Sequence, residues 1–497
     1  MSSVRSHHSH FMAPSPPTVN RNQLTPPSKP PPTQTTTKIL VDDGNLRSRQ
    51  VLIKGLKNPE RPETLANILL LETGDKSDQI HISQRPDGQL YAQVNGRYYA
   101  FNTPDGQSNV PTFLHIKTGA GNDRITIDPN VTVRVEIEAE DGDDFIQAGG
   151  GHTSVYGGRG NDHIRLGSGI GYAEGNEGDD TMMGGTGHAV MYGNSGKDRM
   201  YAGSGPASKH SHLDGGADDD QLYAGNGHTV LNGGLGNDLL VGHDDTTFYT
   251  GKGQNIVRAN AIKARIYAQK TDRVMGTQGS TITRVMPNEA GRQAFRVMGP
   301  PDFIQRVEND LELLRASPQG QKMLAALDKA ALQNGGPVNI VPSDGPGNSY
   351  LFWSTELQKL DDTRQLGDGP DDPKRGYIKD GLPGSRADKG TIFYNPSSIY
   401  GTDDPTSPLV QLYHEMAHAW NGANGTLLPG ASEPTLAHPE RPGPPNDELQ
   451  AVGLASKAAP FDFDNDPSTS ATTTNPAPFT ENTLNKEMGK APRTHYA

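Results

Sequence analysis

Two histidines stand four residues apart in the segment SPLVQLYHEMAHAWNG (407–422), with a glutamate after the first: His414-Glu415-Met416-Ala417-His418. On an α-helix this spacing puts both imidazoles on one face, a single turn apart. Two neutral ring nitrogens so placed can reach one Zn²⁺ at about 2.1 Å. Glu415, beside that face, is then suited to take a proton from zinc-held water and return it to a leaving amine. A third ligand is needed if the fourth position is to stay open for water. NGANGTLLPG, directly after the motif, has no histidine. Farther on, PPNDELQAVGLAS (444–456) offers Glu448, thirty residues past His418, in the first turn of a predicted helix capped by Asn446. Asp447, Asp462 and Asp464 compete for the same role, and so does His438 in a Pro-rich loop.

These groups need a helix with a defined start and stop. Ser407 suits the N-cap, Pro408 the first helical position and Gly422 the C-terminal cap. Leu409, Leu412, Met416 and Ala419 fall on one apolar face. Upstream, 303–317 and 320–332 show helical periodicity, while VNIV (338–341) and GTIFYNP (390–396) read as strands around a polar, Gly/Pro-rich loop (343–388). An α+β domain over 288–497 is expected, with GTIFYNP as the edge strand that pairs with an extended substrate.

Composition narrows the rest. Of the 497 residues only 32% are apolar, against a globular average of about 45–50%. The 59 glycines point to a repeat built from small residues. A formal net charge of −13 argues against nucleic acid as a partner, and no apolar run is long enough for a membrane helix. The chain has no cysteine, so any metal must use histidine, carboxylate or carbonyl ligands. Residues 1–38 are rich in Ser, Thr and Pro, with no acidic residue before Asp42 and no apolar core of a secretory signal. Disorder is predicted there.

Between about 73 and 270 the chain repeats itself: TGAGNDRITI (118–127), AEDGDDFIQA (139–148), GGRGNDHIRL (157–166), GNEGDDTMMG (175–184), GNSGKDRMYA (193–202), GGADDDQLYA (215–224) and GGLGNDLLVG (233–242). The aligned aspartates are Asp123, Asp144, Asp162, Asp180, Asp198, Asp220 and Asp238, mostly 18 residues apart. The phrases resemble the GGxGxDxUx nonapeptide of RTX repeats, which implies a right-handed parallel β-roll, a β-solenoid over 39–287. One large apolar residue per strand (Ile125, Ile146, Ile164, Met182, Met200, Leu222, Leu239) would fill its narrow interior. The aspartates should form a row along one edge as candidate Ca²⁺ ligands. Thr153, Ala189 and Thr229 stand opposite, so calcium is expected on one edge at most. Hairpins at 79–101, turning at Asp87-Gly88 and Asn95-Gly96, should start the stack, and 251–285 should finish it.

YHEMAHAWN, NDELQAVGL and FTENTLNKEMGKAPRTHY, in that order, resemble the M91 family of zinc metallopeptidases, the NleD-type type III effectors that bacteria inject into host cells. The resemblance covers about 295–497. It implies zinc-dependent cleavage of a host protein as part of virulence. A strand followed by a capped helix is also the layout of a zincin-type metalloprotease domain, and Glu448 on a second helix is the gluzincin-like choice of third ligand. The family resemblance further implies that the N-terminal segment is an export signal, with a secretion chaperone among the partners. Arg493 and Tyr496 match the RxxY spacing of clostridial neurotoxin light chains, which implies donors to the oxyanion of the tetrahedral intermediate. The competing reading is a calcium-binding RTX-like surface protein with an inactive protease domain.

Overall fold

The computed structural model describes residues 33–55, 63–101, 110–260, 263–343, 345, 347–362, 371–399, 406–433, 442–464 and 466–496. The expected export segment lies outside them except for 33–38. Those six residues, read as disordered, begin a strand (Thr33–Asp42) paired antiparallel with Arg47–Gly55.

A β-solenoid fills the first half, between a 13-stranded and a 12-stranded sheet. Short strands of the second sheet stack in parallel register, placing Ile125, Ile146, Ile164, Met182, Met200, Leu222 and Leu240 in one interior column. Leu240 takes the place expected for Leu239, which is half-buried. The hairpins of 79–101 do start this sheet: Gln79–Gln84 pairs antiparallel with Leu90–Val94 and parallel with Arg124–Ile127. The other sheet begins with an antiparallel meander over 33–72 whose strands the sequence reading did not separate.

The aspartate row is a hydrogen-bond ladder. Asp162 Oδ1 accepts the Asp144 N–H at 2.8 Å, Asp180 Oδ1 the Asp162 N–H at 2.7 Å and Asp198 Oδ1 the Asp180 N–H at 2.8 Å. The second oxygens, from Asp144 to Asp238, are buried without a hydrogen-bond partner among the described residues. Burial pushes these carboxyls up, Asp144 to about 7 and both Asp180 and Asp198 to about 8. From Asp162 to Asp238 each of these oxygens tucks over a glycine; a Cβ on Gly175 would meet Asp180 Oδ2 at 2.0 Å. Unpartnered carboxylate oxygens are the hard donors that calcium takes, but among the described residues no three from this row converge on one point, so backbone carbonyls would have to complete a site.

Asn255 shows what the ladder does without a cation. Its Oδ1 accepts the Asp238 N–H at 2.8 Å while its Nδ2 donates to Thr250 O at 2.9 Å, a bond that an aspartate cannot make. Asp180→Asn should therefore leave the roll in chelator at least as stable as wild type, while reducing its stabilisation by calcium. Asp180→Ala should cost about 1–3 kcal/mol through the orphaned Asp162 amide. Thermal melts followed by circular dichroism in chelator test the pair; a melt of the Asn variant at or below that of the Ala variant would refute the ladder.

The two sheets differ on their outer faces. From Phe145–Gln147 to Ile256–Arg258 the three-residue strands of the 12-stranded sheet bury only their middle residue, whereas Ala189–Ser195 in the other buries both sides: Met191 points into the roll and Tyr192 outward. The C-terminal domain covers that outer face. It contains α1 (Pro301–Ala316), α2 (Pro318–Asn334), α3 (Thr355–Asp362), α4 (Pro408–Asn424), α5 (Asn446–Val452) and α6 (Glu481–Glu487). Its four-stranded sheet has the order Phe295–Val297, Val338–Pro342, Thr391–Tyr394, Ser349–Leu351. Val230 and Tyr249 of the roll share one apolar core with Leu409, Tyr413 and Met416 of α4. The 343–388 stretch holds more structure than expected, namely the strand Ser349–Leu351, α3 and a short 3₁₀ turn. GTIFYNP is not the edge: Thr391–Tyr394 lies between Val338–Pro342 and Ser349–Leu351, and the last of these forms the border.

Candidate metal and catalytic site

α4 packs against α2, α5, α6 and the small sheet, and is buried around its whole circumference up to Ala423. Ser407 and Pro408 start it as expected, although the Ser407 side chain makes no capping bond. It ends one turn later than read: Gly425, at φ 71°, closes the helix and Gly422 lies inside it. Asn446 likewise sits within α5 rather than capping it; Pro445 takes the cap, and Asn446 Nδ2 donates to Pro429 O at 2.7 Å.

His414 and His418 present their Nε2 atoms 3.1 Å apart, and Glu448 Oε2 lies 3.0 Å from the first and 3.2 Å from the second. Tetrahedral ligands with bonds of about 2.1 Å stand about 3.4 Å from one another. The three donors are thus within a few tenths of an ångström of that spacing, all buried, and rich in lone pairs with little hydrogen to share. This donor set fits zinc. Glu415 is 5% exposed and its Oε2 has no partner among the described residues. Burial works to lower the His414 pKa, but hydrogen bonds to Glu448 and Glu481 push it up to about 10.

The ligands are held from behind. His414 Nδ1 donates to Glu481 Oε2 at 3.1 Å, which turns the Nε2 lone pair toward the site. Burial opposes the charge of Glu481, yet His414 and Arg493 keep its carboxyl below the usual range. Asn421, one turn past His418, exchanges amide bonds of 2.9 and 2.8 Å with Asn475. Gln450 of α5 joins them at 2.8 Å, so α5 and its Glu448 are locked to α4.

The other candidates sort by position. Tyr496 O–H donates to Glu448 Oε2 at 2.9 Å, within one bond of the ligand set. Arg493 Nη1 donates to Glu481 Oε2 at 3.0 Å, so its guanidinium supports the partner of His414. Asp447 accepts from the Tyr377 hydroxyl, exposed Asp464 accepts from Asp466 N–H and Thr469, and neither joins the histidines. Asp462 is outside the cluster too, and His438 lies outside the described residues. Sequence reasoning missed Glu481, which lies 67 residues past His414 on a separate short helix. The cap spacing Thr480-x-x-Thr483 was the available sign of a helix there, with Thr480 Oγ1 accepting the Thr483 N–H at 3.3 Å.

A second buried group, His115, Glu136 and Glu138, lies on the outer face of the roll. There Lys117 Nζ bonds Glu138 and Arg134 faces Glu136, so the chain's own cations already balance the carboxylates.

Residues 291–496 match the M91 peptidase family model, described as an effector protein. Residues 137–172, 174–206 and 211–240 match the RTX calcium-binding nonapeptide repeat. No curated protein and no solved structure matches the chain.

Proposed function

We propose that this chain, whose residues 291–496 match the M91 peptidases, is a zinc-dependent endopeptidase exported by a bacterium to act on a protein of a host cell. The convergence of His414 Nε2, His418 Nε2 and Glu448 Oε2 within 3.2 Å, with Glu415 next to His414 and its Oε2 unpartnered among the described residues, carries this reading. Bound by these three, zinc would supply the Lewis acidity that polarises a scissile carbonyl and the attacking water. Glu415 takes the proton from that water and returns it to the leaving amine. Its free, buried oxygen is available for both transfers, since no structural bond has to break first. Tyr496 can turn its hydroxyl from Glu448 toward the oxyanion, and Arg493 acts from farther back through Glu481. The border strand Ser349–Leu351 supplies main-chain groups for an extended substrate. It is tied to α4 where Asn348 Nδ2 donates to Gln411 Oε1 at 2.7 Å, one turn before His414.

Elemental analysis of freshly purified protein tests the premise. About one zinc per chain is expected, and none in a His418→Ala variant; a wild-type chain that contains no zinc and takes up none overturns the reading.

A further inference from the structure

α6 is only seven residues long, about 10 Å, too short to hold itself together in water. Both ends must be fixed from outside. Its first residue, Glu481, orients His414. The far end rests on the roll. Thr247 Oγ1 donates to Met488 O at 2.7 Å and Tyr267 O–H donates to Glu487 O at 3.1 Å, so two roll hydroxyls satisfy carbonyls that the helix end leaves open. Tyr249 O–H donates to the Glu487 carboxylate at 3.0 Å; Ser317 Oγ and the Gln319 N–H, at the start of α2, add bonds of 2.5 and 2.9 Å. Tyr249 and Tyr267 stack at 4.9 Å on neighbouring coils, which restricts both hydroxyls.

We propose that Thr247, Tyr249 and Tyr267 of the roll are positioning residues for the metal site, acting through α6 on the orientation of His414. The inference rests on the zinc-peptidase reading above and gives the roll a part in it: its last coils cap the helix that carries the His414 partner. A buried carboxylate such as Glu487 costs stability unless it is fully bonded. Its donors here come from the roll and from α2, so satisfying it fixes α6 to both at once. Asn482 extends the effect, because its side chain bonds both Arg493 N–H and Arg493 O, and Tyr496 lies three residues on. A displacement at Glu487 would reach Glu481 and the C-terminal segment together.

The test is zinc affinity, measured by chelator competition on the full chain, with apo thermal midpoints recorded alongside. The Tyr249→Phe/Tyr267→Phe double variant removes two hydroxyls and keeps both rings. It should bind zinc about tenfold more weakly, at the lower end of the 10–100-fold seen when a direct partner of a ligand is lost. Tyr223→Phe is the matched control: it deletes a roll hydroxyl bonded to Gln221 on the opposite sheet, and should leave zinc affinity unchanged. If the double variant fails to fold, Tyr267→Phe alone, which spares all three donors to the Glu487 carboxylate, should still show part of the loss. Affinity within twofold of wild type in the folded variants overturns the proposal, even if their melting midpoints fall. A wild type that refuses zinc overturns the parent reading instead, and this one with it.

Discussion

Glu415→Gln is expected to lower peptide-bond cleavage by about 10²–10⁴-fold, the usual contribution of a positioned general base, with zinc content unchanged. The amide has the carboxylate's shape but cannot accept the proton. The structural cost should be small, because Glu415 Oε2 has no partner among the described residues whose bond could be lost. The effect therefore separates chemistry from folding more cleanly than a ligand variant, which removes the metal as well. Labelling new N-termini in host-cell extract treated with each protein would reveal the substrate as peptides present with wild type and missing with the variant. Equal cleavage by both would remove Glu415 from the base role.

How much of this centre is readable from the sequence depends on how local each part is. His414, Glu415 and His418 lie on one helix, where spacing alone sets the geometry. Glu448 is on a different helix, and the sequence leaves it competing with Asp447, Asp462, Asp464 and His438; the packing of α5 against α4 is what brings its Oε2 to both histidines. Glu481 carries only the cap signal of Thr480, which marks a helix start and not a partner for His414. It lies 67 residues from His414, and only the packing of α6 brings it to Nδ1. Arg493 was read from its spacing to Tyr496 as an oxyanion donor, but spacing says nothing of which carboxylate a guanidinium will find first.

The roll divides in the same way. Its 18-residue period makes the inward column and the aspartate ladder legible, since every coil repeats the same environment. The outward residues do not repeat. Tyr172, Tyr192 and Tyr249 look like ordinary strand residues until the C-terminal domain is laid over them. The substrate border was misplaced for a related reason: Ser349–Leu351 is three residues long inside a polar, Gly/Pro-rich stretch, and it becomes a strand only because Thr391–Tyr394 offers it a ladder.

The same covered face should respond most strongly to loss of one buried charge. Arg306 of α1 is 1% exposed, and its guanidinium lies 3.2 Å from the centre of the Tyr192 ring and 2.9 Å from Asp310 Oδ1. Asp310 is fully buried and also accepts from the Tyr394 hydroxyl at 2.8 Å. Glu174 and Asp214 of the roll are buried within the influence of the same cation, and burial pushes Asp214 up to about 7. Arg306→Ala leaves these acids without a counter-charge and should cost about 3–5 kcal/mol, the usual result of removing one partner of a buried ion pair. Arg306→Met/Asp310→Asn removes the pair's charges together and should recover much of the loss. Both tryptophans, Trp353 and Trp420, are in the C-terminal domain, whereas circular dichroism also reports on the roll's strands. In urea the two signals should change together for wild type, because the core is shared. In Arg306→Ala the tryptophan transition should move to lower urea and separate from the other. Coincident transitions displaced by less than about 1 kcal/mol would mean that Arg306 does not hold the two parts together.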